Sequence, residues 1–134
     1  MNEYPVSKSE EEWLAELGPE RYNILRGKGT ERPFSGRYNM HFDKGIYQCG
    51  ACGADLFESA HKFDSGCGWP SFDESINGSI EYKQDRSHGM IRTEILCANC
   101  GGHLGHVFDD GPTSTGQRYC VNSLSVDFDP DNDQ

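Results

Sequence analysis

Cys49-Gly50-Ala51-Cys52-Gly53 and Cys97-Ala98-Asn99-Cys100-Gly101 set the frame for this chain. Each is a Cys-x-x-Cys-Gly turn that aims two sulfurs at one point. Its glycine tolerates the backbone geometry that lets amides face the thiolates. One such turn supplies half of a tetrahedron, and two supply a closed four-cysteine zinc site. Residues 53–96, 44 in all, separate the pairs. That exceeds the ~15–20 residues of compact zinc modules. A β-rich segment must therefore fold between the halves, and the metal is expected to clip distant strands together. A closed site keeps no open position, so this zinc is expected to stay away from substrate.

Two rival readings of the knuckles rank lower. A thioredoxin-like redox pair opens a helix in a βαβ context, whereas both knuckles here follow β-like segments. Cys97, Cys100, His103 and His106 recur every third residue and could bind metal alone, but that would orphan Cys49 and Cys52.

The chain has 134 residues, which suits a single domain over 1–134 with one modest core. An apolar fraction of 34% and 16 glycines point to turns and short strands more than to long helices. A structural metal would make up for the thin core. The formal net charge is −10, from 22 acids against 12 bases. Such a surface repels phosphate backbones, so no nucleic-acid partner is expected. Residues 1–12 carry neither a basic start nor an apolar run, and nothing approaches the ~18 apolar residues of a membrane span. A cytoplasmic location with no membrane partner is expected. In a reducing compartment, metal and catalytic roles for cysteine outrank three structural disulfides.

Residues 7–27 read as helical. Ser9 and Glu12 form a capping box, and Trp13, Leu14 and Leu17 make one apolar face. Gly18-Pro19 interrupts the pattern, Pro19 suits the first turn of a second helix bearing Tyr22 and Leu25, and Gly27 can end it. Residues 28–44 look like an extended arm. Candidate strands then run over 45–49, 54–58, 79–85, 90–97, 103–109 and 118–128. In 90–97, Ile91, Thr93, Ile95 and Cys97 share one face and Arg92 and Glu94 the other. The acidic tail from Asp127 to Gln134 is expected to fray. The fold class is mainly β, or α+β by strict count.

Cys67 and Cys120 remain outside the knuckles and read as two thiols for redox chemistry. On a strand over 118–128, Cys120, Asn122, Leu124, Val126 and Phe128 share a face. Such a strand would hold a nucleophile at the rim of the core. Arg118 and Asn122 flank Cys120 at i−2 and i+2, which speaks against an inert buried thiol, and a nearby cation favours the thiolate. Cys67 lies between Gly66 and Gly68, an open backbone from which a thiol could travel to a partner sulfur. Trp69-Pro70 offers a rigid apolar surface for a methyl or thioether, although Trp69 could equally be core. His103 and His106 are candidates for acid–base work. On a regular strand they would face opposite sides, unless Gly105 bends it. A soft nucleophile, a second thiol, an apolar slot and proton donors suit reduction of a small sulfur–oxygen group through a sulfenic acid and then a disulfide.

Taken in order, Ser65-Gly66-Cys67-Gly68-Trp69-Pro70-Ser71-Phe72, Ser87-His88-Gly89-Met90, His103-Leu104-Gly105-His106-Val107-Phe108, Asp110-Gly111-Pro112 and Arg118-Tyr119-Cys120-Val121-Asn122-Ser123 closely resemble the methionine sulfoxide reductase B family. Both knuckles fit as well, and the resemblance covers about residues 20–128, leaving 1–19 and 129–134 peripheral. It implies two antiparallel sheets with small flanking N-terminal helices. It implies thiol-dependent reduction of the R epimer of methionine sulfoxide in proteins, and thus repair after oxidative damage. Cys120 would be the nucleophile and Cys67 the resolving thiol, their disulfide being reopened by thioredoxin. His103, His106 and Asn122 would line the site and polarise the sulfoxide oxygen. Trp69 would pack on the substrate methyl with Phe108 beside it, and Arg118 would lower the pKa of Cys120. Cys49, Cys52, Cys97 and Cys100 match the zinc ligands of zinc-containing members. A monomer is expected. A zinc-ribbon binding module would leave Cys67, Cys120 and the histidines idle, and a general thiol–disulfide oxidoreductase would be indifferent to sulfoxides.

Overall fold

A computed structural model describes Val6, residues 8–27, 29–32, Gly36, Tyr38, and residues 41–65, 68–86 and 89–130. Its helix α1 spans Glu10–Leu25. Ser9 caps it: the Glu12 amide donates to Ser9 Oγ at 3.2 Å, and the Ser9 amide donates to Glu12 Oε1 at 3.0 Å. Gly18, at φ 81° and ψ 162°, kinks the element just before Pro19, a conformation that favours glycine. The two arms on either side of Gly18 are the two helices expected from the interruption. Trp13 and Leu25 are buried as expected, and so is Ile24. Leu14 is exposed, because the helix lays only a narrow stripe against the Ser123–Ser125 turn and the strand over 103–108. The described residues of 28–44 lie in no helix or strand.

From Gly45 onward the described residues build strands. These are β1 (Gly45–Cys49), β2 (Asp55–Glu58), β3 (Lys62–Phe63), β4 (Ser71–Phe72), β5 (Ile80–Asp85), β6 (Arg92–Cys97), β7 (His103–Phe108), β8 (Arg118–Val121) and β9 (Val126–Pro130). They form two antiparallel sheets, ordered β2-β1-β9 and β3-β4-β8-β7-β6-β5. Phe57 of the small sheet stacks on Phe72 of the large one, with ring centroids 4.3 Å apart and planes 14° apart. Tyr47, Leu56, Ile95, Leu104, Val121 and Val126 fill the core around them, all fully buried. Burial of that apolar surface is the main force pressing the sheets together.

The segment 118–128 departs from expectation. It is not one strand but two, in different sheets, joined by a turn over Ser123–Ser125. Asn122 and Ser125 cause the break. The Asn122 side chain donates to the Leu104 carbonyl at 3.2 Å and accepts from the Glu31 amide at 3.0 Å. Buried Ser125 donates to the His103 carbonyl at 2.8 Å. Cys120 and Phe128 therefore do not share a sheet face. The tail is also more ordered than expected as far as Pro130, because β9 pairs with β1 from Val126↔Cys49 to Pro130↔Gly45. Arg21 of α1 secures it by donating to both Asp127 carboxylate oxygens, at 2.7 and 3.3 Å. In β6, Ile91 lies outside the strand and is exposed, while Glu94, expected on the polar face, is buried.

Candidate active site and metal centre

Cys49 ends β1 in the small sheet and Cys97 ends β6 in the large one. The knuckles that follow bring Cys49, Cys52, Cys97 and Cys100 together, all four sulfurs lying within 4.8 Å of one another. Cys49 Sγ is 3.6 Å from Cys100 Sγ, and Cys52 Sγ is 3.6 Å from Cys97 Sγ. A tetrahedral ion bound to sulfur at about 2.3 Å requires sulfurs about 3.8 Å apart, so the cluster has the right size for one metal. Nitrogen donors are already turned on the sulfurs: the Ala51 amide on Cys49 at 3.4 Å, and Asn99 Nδ2 on Cys52 at 3.2 Å. Hydrogen bonds with Cys100 and Cys49 hold the Cys97 thiol well below its ordinary range. Hydrogen bonds with Cys100, Cys52 and Cys97, together with burial, push the Cys49 thiol up. Arg26 of α1 donates to the Cys100 carbonyl at 3.0 Å and ties the helix to the centre.

The rival set of Cys97, Cys100, His103 and His106 does not form. His103 Nδ1 lies 2.7 Å from Glu94 Oε2, and His106 Nε2 lies 2.8 Å from Asp85 Oδ2. Nor does either knuckle stand alone as a redox pair, since all four sulfurs converge.

Cys120 sits mid-strand in β8, opposite Ser71 of β4 and His106 of β7. It is partly exposed. Arg118, two residues back on the same face, donates from Nη1 to Cys120 Sγ at 3.3 Å. A guanidinium N–H aimed at sulfur favours the thiolate. Asp110 grips the same guanidinium at 2.8 and 3.0 Å, and the Phe108 ring lies under it, 4.6 Å from the guanidinium carbon. The Asp110 carboxyl is lowered by the hydrogen bond from Arg118, as a charged partner requires.

Beside Cys120 opens a small pocket lined by Thr30, Trp69, Arg92, Gly105, His106, Phe108, Cys120, Val121 and Asn122. The Trp69 indole is fixed by a 3.0 Å hydrogen bond from Nε1 to the Glu31 carbonyl. The two histidines reach one side of the sheet through a bulge, with Ile95 opposite Gly105 but Leu96 opposite His103. Leu104 is the extra residue, and the imidazoles meet edge to face with centroids 5.7 Å apart. His106 lines the pocket, whereas His103 is buried against Glu94 behind it. Burial lowers the His106 pKa, opposed by the hydrogen bond that His106 donates to Asp85.

The structure thus gathers Cys120, Trp69, His106, Phe108 and Asn122 at one pocket with Arg118 on the thiol. It sets His103 one layer back, and it commits the Asn122 amide to backbone groups. Cys67 lies outside the described residues, as do Gly66, Ser87 and His88 of the motifs. Sequence reading passed over Arg92, Asp85, Glu94 and Glu31. The signal for two of them was present: Arg92 and Glu94 alternate on the polar face of a strand that leads into a metal knuckle.

The SelR domain matches residues 17–130. The chain belongs to the methionine sulfoxide reductase B family. A protein named peptide methionine sulfoxide reductase MsrB from Variovorax paradoxus is 58% identical over 130 residues, covering 92% of this chain and 96% of its own length. Proteins with the same name from Agrobacterium fabrum and Methanosarcina barkeri are 56% and 54% identical, covering 93% and 96% of this chain and 93% and 91% of their own lengths. Within this reductase family, the pocket and the four-cysteine centre described above belong to a single matched segment.

Proposed function

We propose that this chain reduces the R epimer of methionine sulfoxide in proteins to methionine, as a peptide-methionine (R)-S-oxide reductase. The observation that carries the reading is the Arg118 guanidinium donating to Cys120 Sγ at the wall of a pocket shared with Trp69, His106 and Phe108. The Cys120 thiolate attacks the sulfoxide sulfur, and His106 delivers a proton to the oxygen. The oxygen ends on the Cys120 sulfur, so thiolate, sulfoxide and one proton become sulfenic acid and thioether. Trp69, held by Glu31, supports the substrate methyl, with Phe108 beside it. Asn122 and His103 fix the walls rather than the oxygen.

Cys67 then attacks the sulfenic acid, water leaves, and a Cys67–Cys120 disulfide forms. The dithiol of thioredoxin reopens it by exchange, which closes the cycle. Zinc is the metal that best fits four sulfurs of this spacing. Held by Cys49, Cys52, Cys97 and Cys100, it supplies structure and no catalytic chemistry, because sulfur fills its coordination. The chain works as one monomeric domain in the cytoplasm, repairing oxidised proteins.

Steady-state turnover of each separated epimer with a small dithiol tests this reading. The R epimer is consumed and the S epimer is not, and Cys120→Ser abolishes turnover while keeping its metal. Near-wild-type turnover by Cys120→Ser would remove Cys120 from the role of nucleophile.

A further inference from the structure

Asp85 ends β5, an edge strand whose middle residues, Tyr82, Lys83 and Gln84, are exposed. A carboxylate here could have stayed in water. Instead Asp85 Oδ2 lies 2.8 Å from His106 Nε2 and 3.4 Å from Arg92 Nη2. Side-chain exposures are 19% for Asp85, 13% for His106 and 25% for Arg92, so the three groups are largely withdrawn from solvent. Arg92 is the register partner of Asp85 and lines the pocket together with His106. A carboxylate so withdrawn is tolerable only with partners, and His106 and Arg92 are two of them.

Neutral imidazole donates from one ring nitrogen and accepts at the other, and a carboxylate can only accept. The other groups facing His106 do not compete for Nε2. Glu94, opposite it on β6, is bound to His103, and the His103 ring meets His106 edge-on. Cys120 lies opposite on β8, and Arg118 is held by Asp110 and Cys120.

We propose that Asp85, steadied by Arg92, is a positioning residue for the reaction: it holds the N–H at Nε2 of His106 and leaves Nδ1 to serve the sulfoxide oxygen. This rests on the reading of His106 as proton donor. Once Nδ1 gains its proton, Asp85 balances the imidazolium and offsets the burial that works against it. Without the carboxylate, burial stands unopposed, and the protonated form is lost at lower pH.

The test is the pH profile of kcat and kcat/KM for a peptide (R)-sulfoxide with a small dithiol, for wild type, Asp85→Asn and Asp85→Glu. With Asp85→Asn the alkaline limb moves about one unit toward acid, kcat at neutral pH falls about tenfold, and KM barely changes. Asp85→Glu restores part of the limb. An unmoved limb, or a loss uniform across pH that tracks a lowered melting temperature, overturns the proposal. Nitrogen NMR of the wild type tests it even if the variants fail to fold. The neutral His106 ring carries its proton on Nε2, and a proton on Nδ1 would overturn the assignment. A wild type that leaves the sulfoxide untouched while showing the Nε2 tautomer defeats the reading of the reaction, not the geometry.

Discussion

A methyl group added to Gly105 would lie 1.9 Å from the Cys120 carbonyl oxygen and 3.2 Å from the Val121 Cα. No side chain can occupy that space, so β7 and β8 approach as closely as they do because residue 105 is glycine. The same residue sits beside the bulge that turns His103 and His106 to one side. Gly105→Ala is expected to lose about 2–3 kcal/mol of stability and to lower kcat far more than the melting shift explains, since Cys120 is displaced with its carbonyl. Denaturant unfolding and turnover of the same preparation check this; a variant with native stability and activity would show that the strands can part without cost. Other residue-scale features could not be read in advance. The partners of His103 and His106 are Glu94 on the adjacent strand and Asp85 two strands away, and nothing local in the sequence pairs those carboxylates with those imidazoles.

At the scale of elements, the strand 45–49 was legible to the residue, because an alternating apolar run ends there in a metal knuckle. The capping box at Ser9 and Glu12 was equally plain. The break at Asn122 was not. Residues 118–128 alternate well enough to pass for one strand, and only contacts from Leu104, Glu31 and His103 divide it. Strands β3 and β4 are two residues each, too short to show any period. Yet β4 places Ser71 beside Cys120 and Phe72 against Phe57, so a pair of residues without sequence signal joins the strand that carries Cys120 to the core. The interruption at Gly18-Pro19 was legible as well, since Gly18 takes a positive φ and separates two helical arms.

At the scale of the molecule, two sheets share one aromatic core and one ring of sulfur. Each knuckle extends a strand of a different sheet, so a metal at the centre closes a loop of 44 residues and locks the sheets in register. Structural zinc contributes about 10–16 kcal/mol of binding energy, comparable with the whole net stability of a domain, about 5–15 kcal/mol. Cys97→Ser is therefore expected to lose its metal and most of its folded population. Metal analysis should find one ion per wild-type chain, and an unchanged melting temperature in the variant would contradict a structural role. The family was legible from motif order, because thiols, imidazoles and tryptophan are scarce and informative. What the sequence could not convey was which of them touch.

The claim on which the account stands is that Cys120 takes the oxygen. The most direct measurement is a single turnover of fully reduced protein with a peptide (R)-sulfoxide and no added reductant, counting methionine released per chain. The account predicts about one methionine for wild type and for Cys67→Ser, and none for Cys120→Ser. Release by Cys120→Ser equal to wild type, or none from wild type, would contradict it.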